Sequence, residues 1–381
     1  MAIKSLLLAS AATLVAATGA RAADAIVIPE PEPVEYVRVC DAYGAGYFYI
    51  PGTETCLKIS GYVWYQIAAE SYDGNDSPDF QTYGSYPADE GFIKGVRTRV
   101  EFDARSDTEW GTLRANIRLQ ADWGTPGDGP VGIDQGIIQL GGLRMGYTET
   151  VWNDSIGAGV ASYGSHSWGG LSYGYQQRHQ ISYSFGSDQG FAATLSLEDD
   201  TLGGEGYMPD VVGAVSYNQS WGAIWAKVGY DEDRSAIDSL SDDGWGVTAG
   251  VHYNIPGFEG SSLRVIGYYS DSDNAYGVGS PALASALVAP VGGFGNSEWS
   301  VLGSYYHQFT PTFGASVGAQ YFSDFYQGLT DDSTGLDGYE AELALVWVPI
   351  ENFEVRSEVY YDKIETLDGT VSGFLRFTRF F

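Results

Sequence analysis

Arg97 and Arg99 lie two residues apart, Arg114 and Arg118 four apart, and Lys58 opens an earlier run of alternating residues. In extended chain, residues i and i+2 point to the same side. Arg97 and Arg99 therefore share one face, Arg114 and Arg118 share the matching face of the next run, and Lys58 stands on a third. Cations held this way on adjacent strands break no bonds. They set up a field that orients water and small ions. Arg356 belongs to the same class. Glu149 and Asp154 lie near the start of TETVWNDSIGAGVASYGSHSWG, from Thr148 to Gly169, whose small residues let a link fold into a confined space. A basic wall of Lys58, Arg97, Arg99, Arg114 and Arg118 facing Glu149 and Asp154 makes a pore constriction with a transverse field. The same arginines could instead pair with Glu101, Asp103 and Asp122 merely to satisfy a polar interior. The sequence leaves both readings open.

Other reactive residue types form no constellation. His166, His179, His252 and His307 fall in different segments, none at a recognisable spacing from a nucleophile. No catalytic residue is assigned, and the chain is not read as an enzyme. Asp73 to Asp79 and Asp271 to Asn274 lack the full D-x-[DN]-x-[DN]-G-x₅-E spacing of a calcium loop, so no metal and no cofactor is expected.

Residues 1–22 read as a secretory signal. Lys4 supplies the charge, Leu6 to Ala17 the apolar stretch, and Ala20-Arg21-Ala22 the small-x-small cleavage pattern. Export implies an oxidising compartment, so Cys40 and Cys56 are expected to form a disulfide. Closing that loop of about 15 residues is worth roughly 3 kcal/mol on the chain-entropy view. Without Lys4 and Arg21 the net charge moves from −30 to −32, which repels nucleic acid. No later run of eighteen apolar residues exists, which excludes a membrane-spanning helix. A soluble secreted fold and a membrane β-barrel both survive these tests.

Alternation decides between them. Leu57, Ile59, Val63, Tyr65 and Ile67 alternate with Lys58, Ser60, Tyr62, Trp64 and Gln66. Val96, Val100, Phe102 and Ala104 alternate with Arg97, Arg99, Glu101, Asp103 and Arg105, and Leu113 to Ala121 repeats the scheme against Arg114 to Asp122. Further runs follow at 191–198, 223–230, 247–254, 313–321 and 353–362, while Ile133 to Leu140 and Trp299 to Gln308 sort poorly.

Short links near 106–110, 141–142, 186–189, 219–222, 255–260, 309–312 and 349–352 alternate with longer, acidic, Gly-rich ones. The long links fall near 71–90, 124–132, 149–175, 199–209, 231–244, 271–296, 323–337 and 364–369. That pattern predicts an all-β fold, a sixteen-stranded antiparallel transmembrane barrel with short turns at the periplasmic end and long loops outside. A sandwich has no reason to gather its long loops at one end. Residues 57–381 form the barrel. Residues 23–56, opening with Pro29, Pro31 and Pro33 among glutamates, form a periplasmic segment or, on a rival reading, a partial plug.

The stretch ADAIVIPEPEPVEYVRVCDAYGAGYFYIPGTETCLKISGY (Ala23 to Tyr62) resembles the start of mature general porins of the rhizobium and brucella type. So do WGTLRANIRLQADW, IIQLGGLRMGY and the closing GFLRFTRFF, although Arg379 stands where many barrels carry an apolar residue. The resemblance spans the chain. It implies a homotrimer in outer-membrane lipid and lipopolysaccharide, a third loop folded into the pore, passive transport, and Phe381 as the signal read by the barrel-assembly machinery. The surplus of acids in the outer loops suggests weak cation preference in a pore for small hydrophilic solutes. A channel selective for sugars or dicarboxylates is the alternative, with Tyr62, Trp64 and Trp225 as an aromatic track.

Overall fold

The computed structural model describes residues 38–71, 92–124, 129–154, 164–169, 171–187, 189–199, 208–233, 242–279, 294–328, 330–366 and 369–381. The signal segment 1–22, the proline-rich stretch, Asp73 to Asp79 and the middle of the third long link lie outside the described residues.

A short strand, β1 (Tyr47–Tyr49), precedes sixteen long ones. These are β2 (Cys56–Ser71), β3 (Phe92–Thr108), β4 (Gly111–Gly124), β5 (Gly132–Leu140), β6 (Leu143–Glu149), β7 (Gln177–Gly186), β8 (Gly190–Glu198) and β9 (Asp210–Gln219), followed by β10 (Gly222–Asp231), β11 (Gly244–Asn254), β12 (Ser262–Ser270), β13 (Phe294–Thr310), β14 (Phe313–Gln327), β15 (Gly338–Ile350), β16 (Phe353–Ile364) and β17 (Thr370–Phe380). Each pairs antiparallel with its neighbours in sequence, and β17 returns to β2 from Val371↔Ser71 to Phe380↔Tyr62. The sheet is closed, so no strand edge is left to template aggregation. The short turns fall at the seven expected places, all at one end.

Alternation fixes sidedness. On β2, Trp64 is 4% exposed while its neighbour Val63 is 43% exposed. Ile117, Ile181, Leu195, Val228, Val301, Val317 and Leu343 repeat the outward exposure around the barrel. An apolar girdle this continuous is unstable in water and stable against hydrocarbon.

The two runs that sorted poorly have separate causes. In β5 the register slips, Arg118 facing Gln135 while Leu119 faces Ile133, so Asp134 is an extra residue in a bulge and the alternation changes phase. In β13 the pairing is regular from Trp299 to Gln308, between register shifts at Phe294/Ser297 and Gln308/Thr310, but Leu302 points inward and is buried in one cluster with Leu171 of the third long link. That link and the sixth both enter the barrel. Val151, Trp152, Leu171, Tyr276 and Val278 pack on Val212, Trp225, Ile266, Tyr268, Phe322 and Phe325. The inner face is therefore charged and polar on β3 and β4 but carries an apolar seat on β9 to β14. Glycines shape that seat: a Cβ on Gly229 would fall 2.3 Å from the Tyr276 ring, and one on Gly250 would fall 2.3 Å from that of Trp225.

The β2 strand starts below the last residue of β17. There β1 takes over the exposed edge, pairing Tyr47↔Lys58 to Tyr49↔Cys56. The Cys40–Cys56 disulfide, with a Cα–Cα distance of 5.9 Å, ties the segment down. Phe381 exchanges two backbone hydrogen bonds with Gly61, each 3.0 Å, and completes the seam.

Candidate functional site

The five expected wall cations divide into two groups. Strand β3 carries Arg97 and Arg99, and β4 carries Arg118, all facing inward, with Arg97 opposite Asp122 and Arg99 opposite Gln120, four and two residues along β4 from Arg118. The Arg97 guanidinium donates two hydrogen bonds to Asp122, 2.6 and 3.1 Å, the forked geometry that makes such pairs strong. Arg99 donates to the Gln120 carbonyl at 3.0 Å and lies 3.6 Å from Asp134. Arg118 pairs with Asp134 and with Glu149, the latter at 3.3 Å, and Gln135 donates to the same Glu149 oxygen at 3.1 Å. Glu149, the last residue of β6, therefore joins the basic wall.

Arg114 and Lys58 stand lower, near the turn end. Four residues of strand separate Arg114 from Arg118, roughly 13 Å. Arg114 shares Asp103 with Arg105, each at 2.8 Å. Lys58 and Arg105 lie over the Tyr47 ring of β1, at 5.8 and 5.4 Å from its centroid. Asp154 meets neither group. It accepts from Arg144 of β6 at 2.6 Å. Arg356 is held between Glu354 and Glu358 on its own strand.

The cations are paired, with Asp103 and Asp122 as expected and with Asp134 in addition. Their side chains nevertheless keep 12–24% exposure, enough to meet solvent in the lumen. Glu101 accepts from Asn116 at 2.7 Å.

The third long link crosses the lumen and bonds to the far wall. At its start, the Val151 amide donates to Glu198 at 2.9 Å, and Lys227 of β10 donates to the carbonyls of Trp152 and Asp154 at 2.7 and 3.0 Å. Farther on, Ser165 and Ser167 donate to Glu342 of β15, and the Trp168 and Gly169 amides donate to Glu358 of β16 at 2.7 and 2.9 Å. Arg264 of β12 donates to the carbonyls of Gly164 and Ser165 at 3.2 and 3.0 Å. The Arg376 guanidinium of β17 stacks 3.5 Å from the Trp168 ring centroid and 4.7 Å from that of Trp64. Such cation–π contacts contribute about 0.5–2 kcal/mol each.

His166 sits in the middle of this seat. Its two ring nitrogens make hydrogen bonds with Ser304 (2.6 Å) and Ser262 (2.9 Å), and its ring stacks on Tyr306. Burial, with Arg264 and His252 close by, pushes its pKa down to about 3, so it is neutral at pH 7. Both nitrogens are used by serine hydroxyls, a bridging role with no carboxylate orienting the ring.

Sequence reading passed over Asp134, Arg144, Arg264 and Arg376. Asp134 and Arg144 were visible as charged residues beside the chosen wall. The apolar Leu302 on an otherwise polar face was the available signal for the loop seat.

The whole chain matches Porin Omp2b of Brucella suis at 35% identity, covering all of both proteins. A family model described as a porin subfamily matches residues 24–372. Among solved structures, the outer membrane channel DcaP of Acinetobacter baumannii superposes with a TM-score of 0.62 at 13% identity, over 87% of this chain and 99% of that one. An anion-selective porin from Comamonas acidovorans gives 0.58 at 13% identity, over 86% and 100%. These two likenesses concern the fold.

Proposed function

The chain belongs to the porin subfamily and forms an outer-membrane channel, and we propose that it passes small hydrophilic solutes and ions by diffusion with weak cation preference. One observation carries this. The third link bonds to β8, β10, β12, β15 and β16 and reaches Arg376 of β17, and the paired, partly solvated charges of β3 and β4 face the lumen beside it. Transport through such a field needs no reacting group and no cofactor. Lumenal acids and bases nearly balance at this level, so the acidic outer loops tip the preference toward cations.

A sugar-selective channel gains no support from the aromatic residues. Trp225, 6% exposed, belongs to the apolar seat, and Trp64 lies between the guanidiniums of Arg97 and Arg376. Tyr62 carries the Arg99 guanidinium 5.2 Å from its ring centroid, so each of the three rings already has a partner within the protein. The proposal includes export by residues 1–22, assembly as a homotrimer surrounded by lipid and lipopolysaccharide, and recognition of Phe381 during barrel assembly.

Reversal potentials in planar bilayers under a KCl gradient test the reading. The expected sign is that of weak cation preference, with conductance rising linearly with salt. Anion preference, or saturable block by one sugar or dicarboxylate, would replace it.

A further inference from the structure

We propose that Asp134 is the residue that sets the ion preference of the charged wall, and that the bulge in β5 exists to put it there. This rests on the diffusion-channel reading and adds a specificity-determining residue to it. In a regular ladder the residue between Ile133 and Gln135 would pair with Leu119 and share its outward face. The bulge supplies this extra position, because Leu119 pairs with Ile133 and Arg118 with Gln135. Bulged residues are re-aimed relative to the pleat. Here the carboxylate turns inward, pairs with Arg118, and comes within 3.6 Å of Arg99.

The charges at this level explain why one carboxylate matters. Arg97 is matched by Asp122 in a forked pair. Arg99 bonds to a neutral amide, Gln120, so its charge is balanced by Asp134. Arg118 is shared between Asp134 and Glu149. Asp134 thus serves two cations, and its side chain keeps 15% exposure, within reach of passing ions. The described residues of the third link beyond β6 add one carboxylate, Asp154, which Arg144 already engages. Loss of Asp134 leaves Arg99 facing only an amide. The wall then shifts by one unit charge toward positive at that height, with Glu101, opposite Arg118, still in place.

The test is Asp134→Asn in single-channel bilayer recordings under a gradient around 0.1 M KCl. A unit charge about 10 Å from the ion path, acting oppositely on K⁺ and Cl⁻, shifts the permeability ratio roughly two- to fourfold toward chloride. Asp134→Glu is expected to restore the parent ratio. Asp103→Asn, at the turn end, is expected to shift it by less than half as much. Arg99→Gln, which keeps the carboxylate and removes its cation, is expected to move the ratio toward potassium and stands in should Asp134→Asn fail to fold. An Asp134→Asn channel with the parent ratio overturns the proposal, as does an equal shift from Asp103→Asn or no shift from Arg99→Gln. The sign of preference in the parent channel tests the diffusion reading separately, since the proposal concerns the difference between variant and parent.

Discussion

Arg114 and Arg118 carry the same charge on the same face of β4, yet their surroundings differ. Arg118 stands with Asp134 and Glu149 across from the inward loop, and Arg114 shares Asp103 with Arg105 beneath the Tyr43 and Tyr47 rings. Their separation of roughly 13 Å exceeds the Debye length of about 10 Å at 0.1 M salt. At that salt, Arg118→Ala is expected to raise K⁺ over Cl⁻ permeability about twofold, with Arg114→Ala changing it less than half as much. Both effects shrink at 1 M KCl. Equal shifts would place the two arginines at one constriction and undo the division. Sequence could show that both face inward, because alternation reports the face. Their height relative to the loop depends on register and loop course, which alternation does not report. Asp134 was hidden for a related reason: one inserted residue reverses the phase, and a period-two reading of Ile133 to Leu140 registers only disorder in the pattern.

Elements were more legible than residues. Sixteen strands and their alternating links followed from periodicity and Gly-rich, acidic punctuation, each a local property. The inward course of the third link was expected from small residues and resemblance, whereas the sixth link's entry through Tyr276 and Val278 was not. That packing couples Tyr276 to Gly229 and Gly246, partners in other segments whose joint meaning no local window contains. The seat of the third link also has a pH signature. His166 stays neutral down to about pH 3 when seated, against an ordinary value of 6.5 when released. Between those values the released loop binds more protons, so seating is at full strength above pH 6.5 and weakens as pH falls toward 3. Protonation would add a cation beside Arg264 and His252, with Tyr306 stacked on the ring and Glu342 reaching only the flanking serines. Current noise and iodide quenching of Trp168, in a background lacking the other lumenal tryptophans, are expected to rise between pH 6 and pH 4. His166→Gln, which retains hydrogen bonding and cannot titrate, should flatten that rise. An identical pH response in both proteins would remove His166 from the account.

At the scale of the whole molecule, closure depends on a seam between the last strand and the first long one. Hydrogen bonds run along β17 and β2 to Phe380↔Tyr62, and Phe381 adds its pair with Gly61. Below that point β2 would show an open edge at Cys56 to Lys58, and β1 covers it. The disulfide spans 16 residues and holds β1 in place without contributing to the pore's charged level. Chain entropy assigns about 3 kcal/mol to such a link. Replacing both cysteines by serine should therefore lower the urea midpoint at which the barrel unfolds, followed as loss of the fast-migrating folded band on semi-native gels. Single-channel conductance should stay at its parent value, because the tied segment pairs at the turn end of β2 and leans on Lys58 and Arg105 below Arg97, Arg99 and Arg118. Dithiothreitol should reproduce the midpoint change in the parent protein and have no effect on the variant. An unchanged midpoint would mean that strand pairing alone secures the seam. A changed conductance would mean that the segment before β2 acts as a plug, since only a segment inside the ion path can alter current when its tether is cut.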